Sequence, residues 1–403
     1  MSRQLLIVGH GMAAQRLVEK LVAAGADWQI TVIGEEPQPA YNRILLSPYL
    51  ADEVAAEALP LASRDWYSEH NIRLHCGDPV TAIDRDNQTV VTAQGRHLPY
   101  DHLVLATGAE ARIPELPGTH LSGVHVFRTR ADADQLRNLR HSARNVLVVG
   151  GGFLGLEAAD GLQQQGLNVR VLHRSGHLLN RQLDQRAGQL LQQALESRGI
   201  AVHCNAELRA LEGETRISSI TLRDGTAFPA EAVVFAAGIQ PRMALAQATG
   251  LEVNQGICVD PQLRTSDPAI FAIGECAEAD GETVGLVEPA YRQAELLARL
   301  LSGEQVQYRP EATAARLKIS GLPLFSCGQI EPDRQTESLV YEDFDTGDYR
   351  HLLIRDNRLV GAVLYGDTRM GPWLFDRLQN RTDISPYRAL LAFGEPYCNL
   401  AAA

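Results

Sequence analysis

One pattern, written twice, constrains this chain more than any other feature. Residues 4–9 read QLLIVG, a short apolar strand. They run into GHGMAA at 9–14, then into AQRLVEKLVAAG, whose apolar spacing is helical and which stops at Gly25, then into QITVIGEE, a second strand ending in acid. Strand, glycine-rich turn, helix, strand, acid is the fingerprint of a dinucleotide-binding βαβ unit, here with Ala14 in the third small position. In such a unit Gly9 allows the tight turn, and Gly11 lets backbone N–H groups approach a pyrophosphate where Met12 and Ala13 open the helix. Glu35 or Glu36 then accepts hydrogen bonds from ribose hydroxyls. The same grammar returns about 140 residues later. NVLVVGGGFLGLEAADGLQQQG, from position 145, gives a strand, then Gly150, Gly152 and Gly155 at GxGxxG spacing around Phe153 and Leu154, then a helix, and NVRVLH is the next strand. Two copies predict two nucleotide sites.

Further punctuation fits between and after the copies. LVLATGAEAR (103–112) is a strand ending at Ala106, Thr107 and Gly108, and VVFAAGIQPR (233–242), with Gly238, is its counterpart after the second copy. TSDPAIFAIGECAE (265–278) holds a strand ending in Gly274 and Glu275, a carboxylate suited to a polyol hydroxyl, and the helical run YRQAELLARLL follows. Beyond 306, strands and then helices suggest a small α+β domain. The expected fold is α/β: two nested Rossmann-like dinucleotide-binding domains plus a small α+β C-terminal domain. A length of 403 residues, 45% apolar, agrees with two or three domains.

Composition excludes several function classes. A net charge of −12 argues against a nucleic acid or an anionic membrane as a partner of the whole protein. No apolar run approaches the roughly 18 residues of a membrane span. The start, MSRQLLIVGHG, enters a strand at once without a signal region, so a cytoplasmic protein with no membrane partner is expected. The cysteines at 76, 204, 258, 276, 327 and 398 come no closer than 18 positions and form no CxxC. That spacing writes no redox dithiol, zinc knuckle or iron–sulfur loop, and no metal site is expected. It also disfavours a disulfide reductase.

GHGMAA, ATG, GGGFLGLEAA and TSDPAIFAIGE together resemble the two-dinucleotide-binding-domain flavoprotein reductases across essentially the whole chain. AYNRILLS, NRQLDQRAGQLLQQALESRGIAVH and AIGECA are more similar to one branch, the flavoprotein part of assimilatory NAD(P)H nitrite reductases and the electron-transfer subunits of assimilatory nitrate reductases. The other branch is the rubredoxin and ferredoxin reductases. The resemblance implies FAD on residues 1–113 and 239–305, NADH or NADPH on 114–238, and a C-terminal domain over 306–403 like that of rubredoxin and nitrite reductases.

It also implies roles for single residues. Arg43, in YNRILLSPYL, is expected on the FAD pyrophosphate, because a guanidinium binds phosphate oxygens bidentately and stays charged. Ile44, Leu45 and Leu46 then pack to fix its backbone. Val80 matches a position whose backbone meets adenine, and Arg128 matches an arginine near the nucleotides. Val287 and Lys318 fall near the flavin. Glu157 orients the nicotinamide; in several relatives it pairs with a lysine where this chain has Pro48, so that pairing is absent here and a positioning role remains. His173 and Arg174 stand where NADH-selective folds carry an acid, and an arginine there suits a 2′-phosphate. Relatives on the nitrite-reductase branch lack the acid too and are associated with NADH, so the expectation leans to NADH, with Arg174 as the argument for NADPH.

The implied chemistry is hydride transfer from NAD(P)H to flavin, then electron delivery to a redox protein. Near its last residues the chain offers only Cys398, which points to a separate diaphorase subunit feeding a nitrate or nitrite reductase catalytic subunit or an iron–sulfur protein. The alternatives are a rubredoxin or ferredoxin reductase of another pathway and, in another class, a flavin-binding association protein regulated by nucleotides.

Overall fold

A computed structural model describes residues 3–311, 313–317, 319 and 321–401. The chain divides into two units, one of Met1–Leu46, Ala55–Glu110 and Ile239–Glu311, the other of Ser47–Val54, Ala111–Gly238 and Ala312–Ala403.

The first unit is built on five parallel strands in the order Ile270–Ala272, His102–Leu105, Arg3–Val8, Trp28–Gly34, Arg73–Cys76. Their near-continuous apolar runs suit a sheet covered on both faces. Alternation along Arg3–Val8 supplies both cores. Leu5 and Ile7 pack with Leu17, Leu21, Ala294 and Leu297 of the helices Met12–Ala23 and Val287–Leu301. Leu6 and Val8 face the other way, onto Val90, Tyr100, Leu251 and Cys276. The first strand sits mid-sheet, with the chain continuing to one side at Trp28–Gly34 and returning on the other at His102–Leu105. That reversal of strand order creates a crevice at the carboxyl ends of the strands, where such sheets bind ligands. An antiparallel meander, Val80–Asp84, Thr89–Thr92 and His97–Pro99, occupies part of the excursion between them.

The second unit repeats the plan. Five parallel strands run in the order Ala201–His203, Asn168–Leu172, Asn145–Val149, Ala232–Phe235, Val124–Val126. Leu147, Leu172, Val233 and Phe235 pack against Leu211, Ile220 and Leu222 of a small antiparallel sheet. The same unit holds the C-terminal antiparallel sheet, ordered Ala314–Arg316, Leu324–Gly328, Arg358–Tyr365, Asp348–Arg355, Glu337–Asp343. Phe325, Leu352 and Leu364 bury against Trp373 and Leu374 of the helix Gly371–Gln379 and against Leu391, giving the small α+β element expected from sequence. Asp184 clasps this sheet to the second nucleotide fold. Its Oδ1 accepts from the Ala187 N–H at the start of the helix Gln185–Ser197, and its Oδ2 accepts from Tyr349 Oη at 2.9 Å and His351 Nδ1 at 2.6 Å. No helix among the described residues is long and apolar enough to cross a membrane.

Candidate functional site

The first glycine turn divides its work between two residues. Gly9 has φ +105°, and a Cβ placed on it would lie 2.1 Å from the Ala106 carbonyl oxygen. Its N–H donates to Ile33 O at 2.8 Å, so Gly9 is fixed by the fold itself, at the sheet's switch point. Gly11 is different. It N-caps Met12–Ala23 with extended backbone (φ −95°, ψ −169°) and makes no side-chain cap, and the helix has no acid in its first turn. A Cβ on Gly11 would meet nothing within 4 Å. Nothing internal to the fold therefore demands glycine there, while an approaching anion would use both the open space and the uncapped N–H groups. Met12 and Ala14 are buried, so the third small position is filled by packing.

Two other predicted segments meet this turn. A Cβ on Gly274 would lie 3.2 Å from Ala13 Cβ, and one on Gly108 would lie 3.9 Å from Glu275 Oε2. Ala106 is buried, and the Thr107 hydroxyl donates to Arg242 O at 2.9 Å. The Gly274 N–H donates to the fully buried Gln293 at 2.7 Å. The structure thus gathers residues 9–14, 106–108 and 274–275 at one end of the sheet. At the end of the second strand, Glu36 accepts from Tyr41 at 2.8 Å and from Arg43 at 2.6 Å, while Glu35 pairs with Arg242 at 2.6 Å. Leu46 is buried, but Ile44 and Leu45 are only half-buried, so the packing that sets the Arg43 backbone comes mainly from Leu46 and the Asn42 cap. Val80 opens its strand half-buried, and Val287 is the first residue of its helix. Lys318 lies outside the described residues.

The second turn follows the same division. A Cβ on Gly150 (φ +129°) would lie 2.3 Å from Ala236 O, and one on Gly155 would lie 2.0 Å from Gly150 O, which sets helix against strand. Gly152 N-caps Phe153–Gln164 without a side-chain cap, and a Cβ on it would meet nothing within 4 Å. Phe153 and Leu154 begin that helix half-buried. Gly238, at φ +109°, also faces open space. The His173 ring is tied to the turn, since the Gly151 N–H donates to its Nδ1 at 3.1 Å, and Arg174 beside it is exposed. Arg128 is half-buried just before the helix Arg130–Asn138, its N–H donating to Asp132 at 3.0 Å within that helix's capping box.

Glu157 carries a contact that the lost lysine did not predict. The Ser47 hydroxyl, next to Pro48 in the chain, donates to Glu157 Oε2 at 2.5 Å. Ser47 is 6% exposed, so the bond is shielded from water and worth more than a surface one. The segment Ser47–Val54 is held in the second unit by Tyr49 donating to Asp134 at 2.6 Å and by Arg137 donating to Tyr49 O at 2.7 Å. Leu50 packs beside Gly161, where an added Cβ would lie 3.1 Å from Leu50 Cγ.

His10 carries contacts that its place in the sequence does not announce. The Ala40 N–H donates to its Nε2 at 3.1 Å, Tyr67 Oη lies 3.0 Å from the same atom, and Tyr67 in turn donates to buried Gln15. Burial, with Arg64 nearby, pulls the His10 pKa down to about 4. The only signal was a ring inside GHG, flanked by glycines. The six cysteines are all free.

Known proteins align with this geometry. The model of the pyridine nucleotide-disulphide oxidoreductase family matches residues 3–294, and that of the rubredoxin NAD+ reductase C-terminal domain matches 314–382. The chain is 40% identical over 385 residues to the assimilatory nitrate reductase electron transfer subunit of Bacillus subtilis (strain 168), covering 95% of this chain and 50% of that one. Against the NAD(P)H nitrite reductase of the same organism it is also 40% identical, covering 48% of that protein. It spans about half the length of these curated relatives. A crystal structure of a ferredoxin reductase from Rhodopseudomonas palustris superposes with a TM-score of 0.84 at 28% identity, covering 95% of this chain and 98% of that one.

Proposed function

The chain belongs to the pyridine nucleotide-disulphide oxidoreductase family, and on that premise we propose that it is an FAD-dependent NAD(P)H oxidoreductase passing electrons to a redox protein in nitrate or nitrite assimilation. The observation that carries this reading is the pair of open, uncapped helix N-termini at Gly11 and Gly152, each beginning the helix that follows the central strand of a parallel sheet. Each is shaped for one dinucleotide pyrophosphate, and the donors present are those such a group needs. We assign FAD to residues 1–113 and 239–305, NAD(P)H to 114–238, and a covering or docking role to 306–403.

Bound FAD would supply the group that accepts hydride from a nicotinamide and releases the electrons onward. The chain's own residues bind and orient. The backbone at Gly11, Met12 and Ala13 receives one pyrophosphate, with Arg43, which pairs with Glu36, as the cation beside it. Glu36 or Glu35 takes ribose hydroxyls, and Glu275 a polyol hydroxyl. The backbone at Gly152, Phe153 and Leu154 receives the second pyrophosphate. Glu157, held by Ser47, orients the nicotinamide. Val80, Thr107, Arg128, Gly238, Val287 and Lys318 complete the proposed contacts. None of this requires a covalent nucleophile.

The acceptor proposed first is the catalytic part of an assimilatory nitrate or nitrite reductase, supported by the identity to the two Bacillus proteins. A second reading, electron delivery to rubredoxin or a related iron–sulfur protein, is favoured by the match over 314–382. The place proposed for either is the cytoplasm. Reconstitution separates them. Purified protein with NAD(P)H should drive nitrate reduction when the nitrate reductase catalytic subunit of the same organism is added. No reduction above the flavoprotein-free control, with rapid rubredoxin reduction in parallel, would move the assignment to the second reading.

A further inference from the structure

The residue just beyond the second strand of a dinucleotide fold distinguishes two ribose chemistries. A carboxylate there accepts from a 2′-hydroxyl, while a cation holds a 2′-phosphate. In the second fold that strand is Asn168–Leu172, and His173 follows it. Both ring nitrogens of His173 are committed to the protein. The Gly151 N–H donates to Nδ1 at 3.1 Å, so Nδ1 presents its lone pair. Nε2 then carries the proton and donates to Asn180 Oδ1 at 3.2 Å. A neutral imidazole has one acceptor atom. Here it is spent inside the glycine turn, and burial holds the ring below its ordinary pKa and thus neutral. His173 has nothing left with which to accept from a 2′-hydroxyl.

The surrounding sequence offers no substitute. From position 166 to 182 the chain contains no Asp or Glu, and it carries Arg170, Arg174 and Arg181. Arg170 is occupied, since it contacts the His203 ring and stacks 4.1 Å from the centroid of Phe228. Arg174 and Arg181 are both exposed, one following His173 and the other following its partner Asn180. The strand end therefore has two exposed guanidinium groups and no carboxylate, the reverse of what selection for a 2′-hydroxyl uses.

We propose that this site selects NADPH over NADH, with Arg174 and Arg181 holding the 2′-phosphate and His173 bracing the glycine turn. The proposal rests on the reading of residues 150–155 as the NAD(P)H turn. A guanidinium–phosphate hydrogen bond of ordinary strength corresponds to a discrimination of about 10- to 100-fold.

The test uses the flavin-loaded protein and two readouts. Steady-state kcat/KM is measured with NADPH and NADH at one ionic strength, with ferricyanide as acceptor. Equilibrium binding of 2′,5′-ADP and of 5′-ADP is measured by calorimetry. The wild type should prefer NADPH and bind 2′,5′-ADP at least about 10-fold more tightly than 5′-ADP. Arg174→Ala should lower the NADPH:NADH ratio of kcat/KM about 10- to 100-fold and remove the preference for 2′,5′-ADP, Arg174→Lys should restore part of both, and Arg181→Ala should add to the loss. A wild type that prefers NADH, or Ala variants that leave both ratios unchanged, would overturn the proposal. A protein that oxidises neither nucleotide would overturn the oxidoreductase reading itself, and this inference with it.

Discussion

Gly9 and Gly11 stand two residues apart in one turn, yet alanine should fail at them for different reasons. At Gly9 the backbone sits at φ +105°, and a methyl would lie 2.1 Å from Ala106 O, well inside van der Waals contact. The conformational penalty alone is about 1–2 kcal/mol. Adding the forced movement of the 106–108 turn brings the total to roughly 3 kcal/mol or more. At about 2–4 °C per kcal/mol for a cooperative unit of this size, Gly9→Ala should lower the apoprotein Tm by about 6–12 °C. At Gly11 the backbone is extended and the methyl meets nothing within 4 Å. Losing glycine at an N-cap costs less than about 1 kcal/mol, so the apoprotein Tm should fall by no more than about 4 °C. The methyl would, however, occupy the space through which a pyrophosphate approaches the helix N-terminus, and FAD affinity should fall at least about 100-fold, or ~2.7 kcal/mol. The assay is flavin content from the visible-to-ultraviolet absorbance ratio, with differential scanning fluorimetry of flavin-free protein. Wild-type flavin affinity in Gly11→Ala would refute the reasoning, as would an apoprotein Tm loss equal to that of Gly9→Ala.

Three further outcomes follow from hydrogen bonds and burial. Ser47→Ala removes the donor to Glu157 and should destabilise the second unit by about 1–3 kcal/mol, seen as a lower urea midpoint at unchanged slope. His10 titrates near 4 in the folded state and near 6.5 unfolded, so its contribution is fully present above pH 6.5 and is lost as pH falls through 4. His10→Gln should flatten the fall in Tm between pH 6.5 and 4, a window that holds at most ~3 kcal/mol. Burial alone would raise the pKa of Asp184, yet bonds from His351, the Ala187 N–H and Tyr349 hold it below the usual carboxylate value, so its stabilisation is present above the unfolded pKa and lost in acid. Asp184→Asn, followed by urea unfolding at neutral pH, should cost about 2–4 kcal/mol by leaving buried donors poorly matched.

The glycine turns were legible because their chemistry is local. A strand, a turn and a helix within about 20 residues declare themselves through spacing, and in the first copy the acid after the second strand completes the signal. Local spacing also marked the turns at 106–108 and 274–275, although their meeting with the first turn is a fact of sheet order. What was not legible lies at long range. Ser47 and Glu157 are 110 positions apart, and nothing in YNRILLSPYL says that its second half leaves with the second unit. The lost lysine drew attention to Pro48, while the working contact is the hydroxyl one residue earlier. Asp184 reads as an ordinary helix cap, and only the fold brings His351 and Tyr349 to its other oxygen. The His173 tautomer is likewise set by a backbone N–H 22 positions away, which no sequence pattern displays.

The central claim is that this chain takes electrons from a nicotinamide nucleotide into a bound flavin and hands them to another protein. Anaerobic titration of the purified protein with NADPH and NADH, followed at the flavin absorption band, tests it most directly. The expected result is a yellow protein whose band bleaches with one equivalent of reduced nucleotide per flavin and returns when an oxidised protein acceptor is added. A colourless protein that takes up no FAD, or a flavin that no reduced nucleotide bleaches, would contradict it.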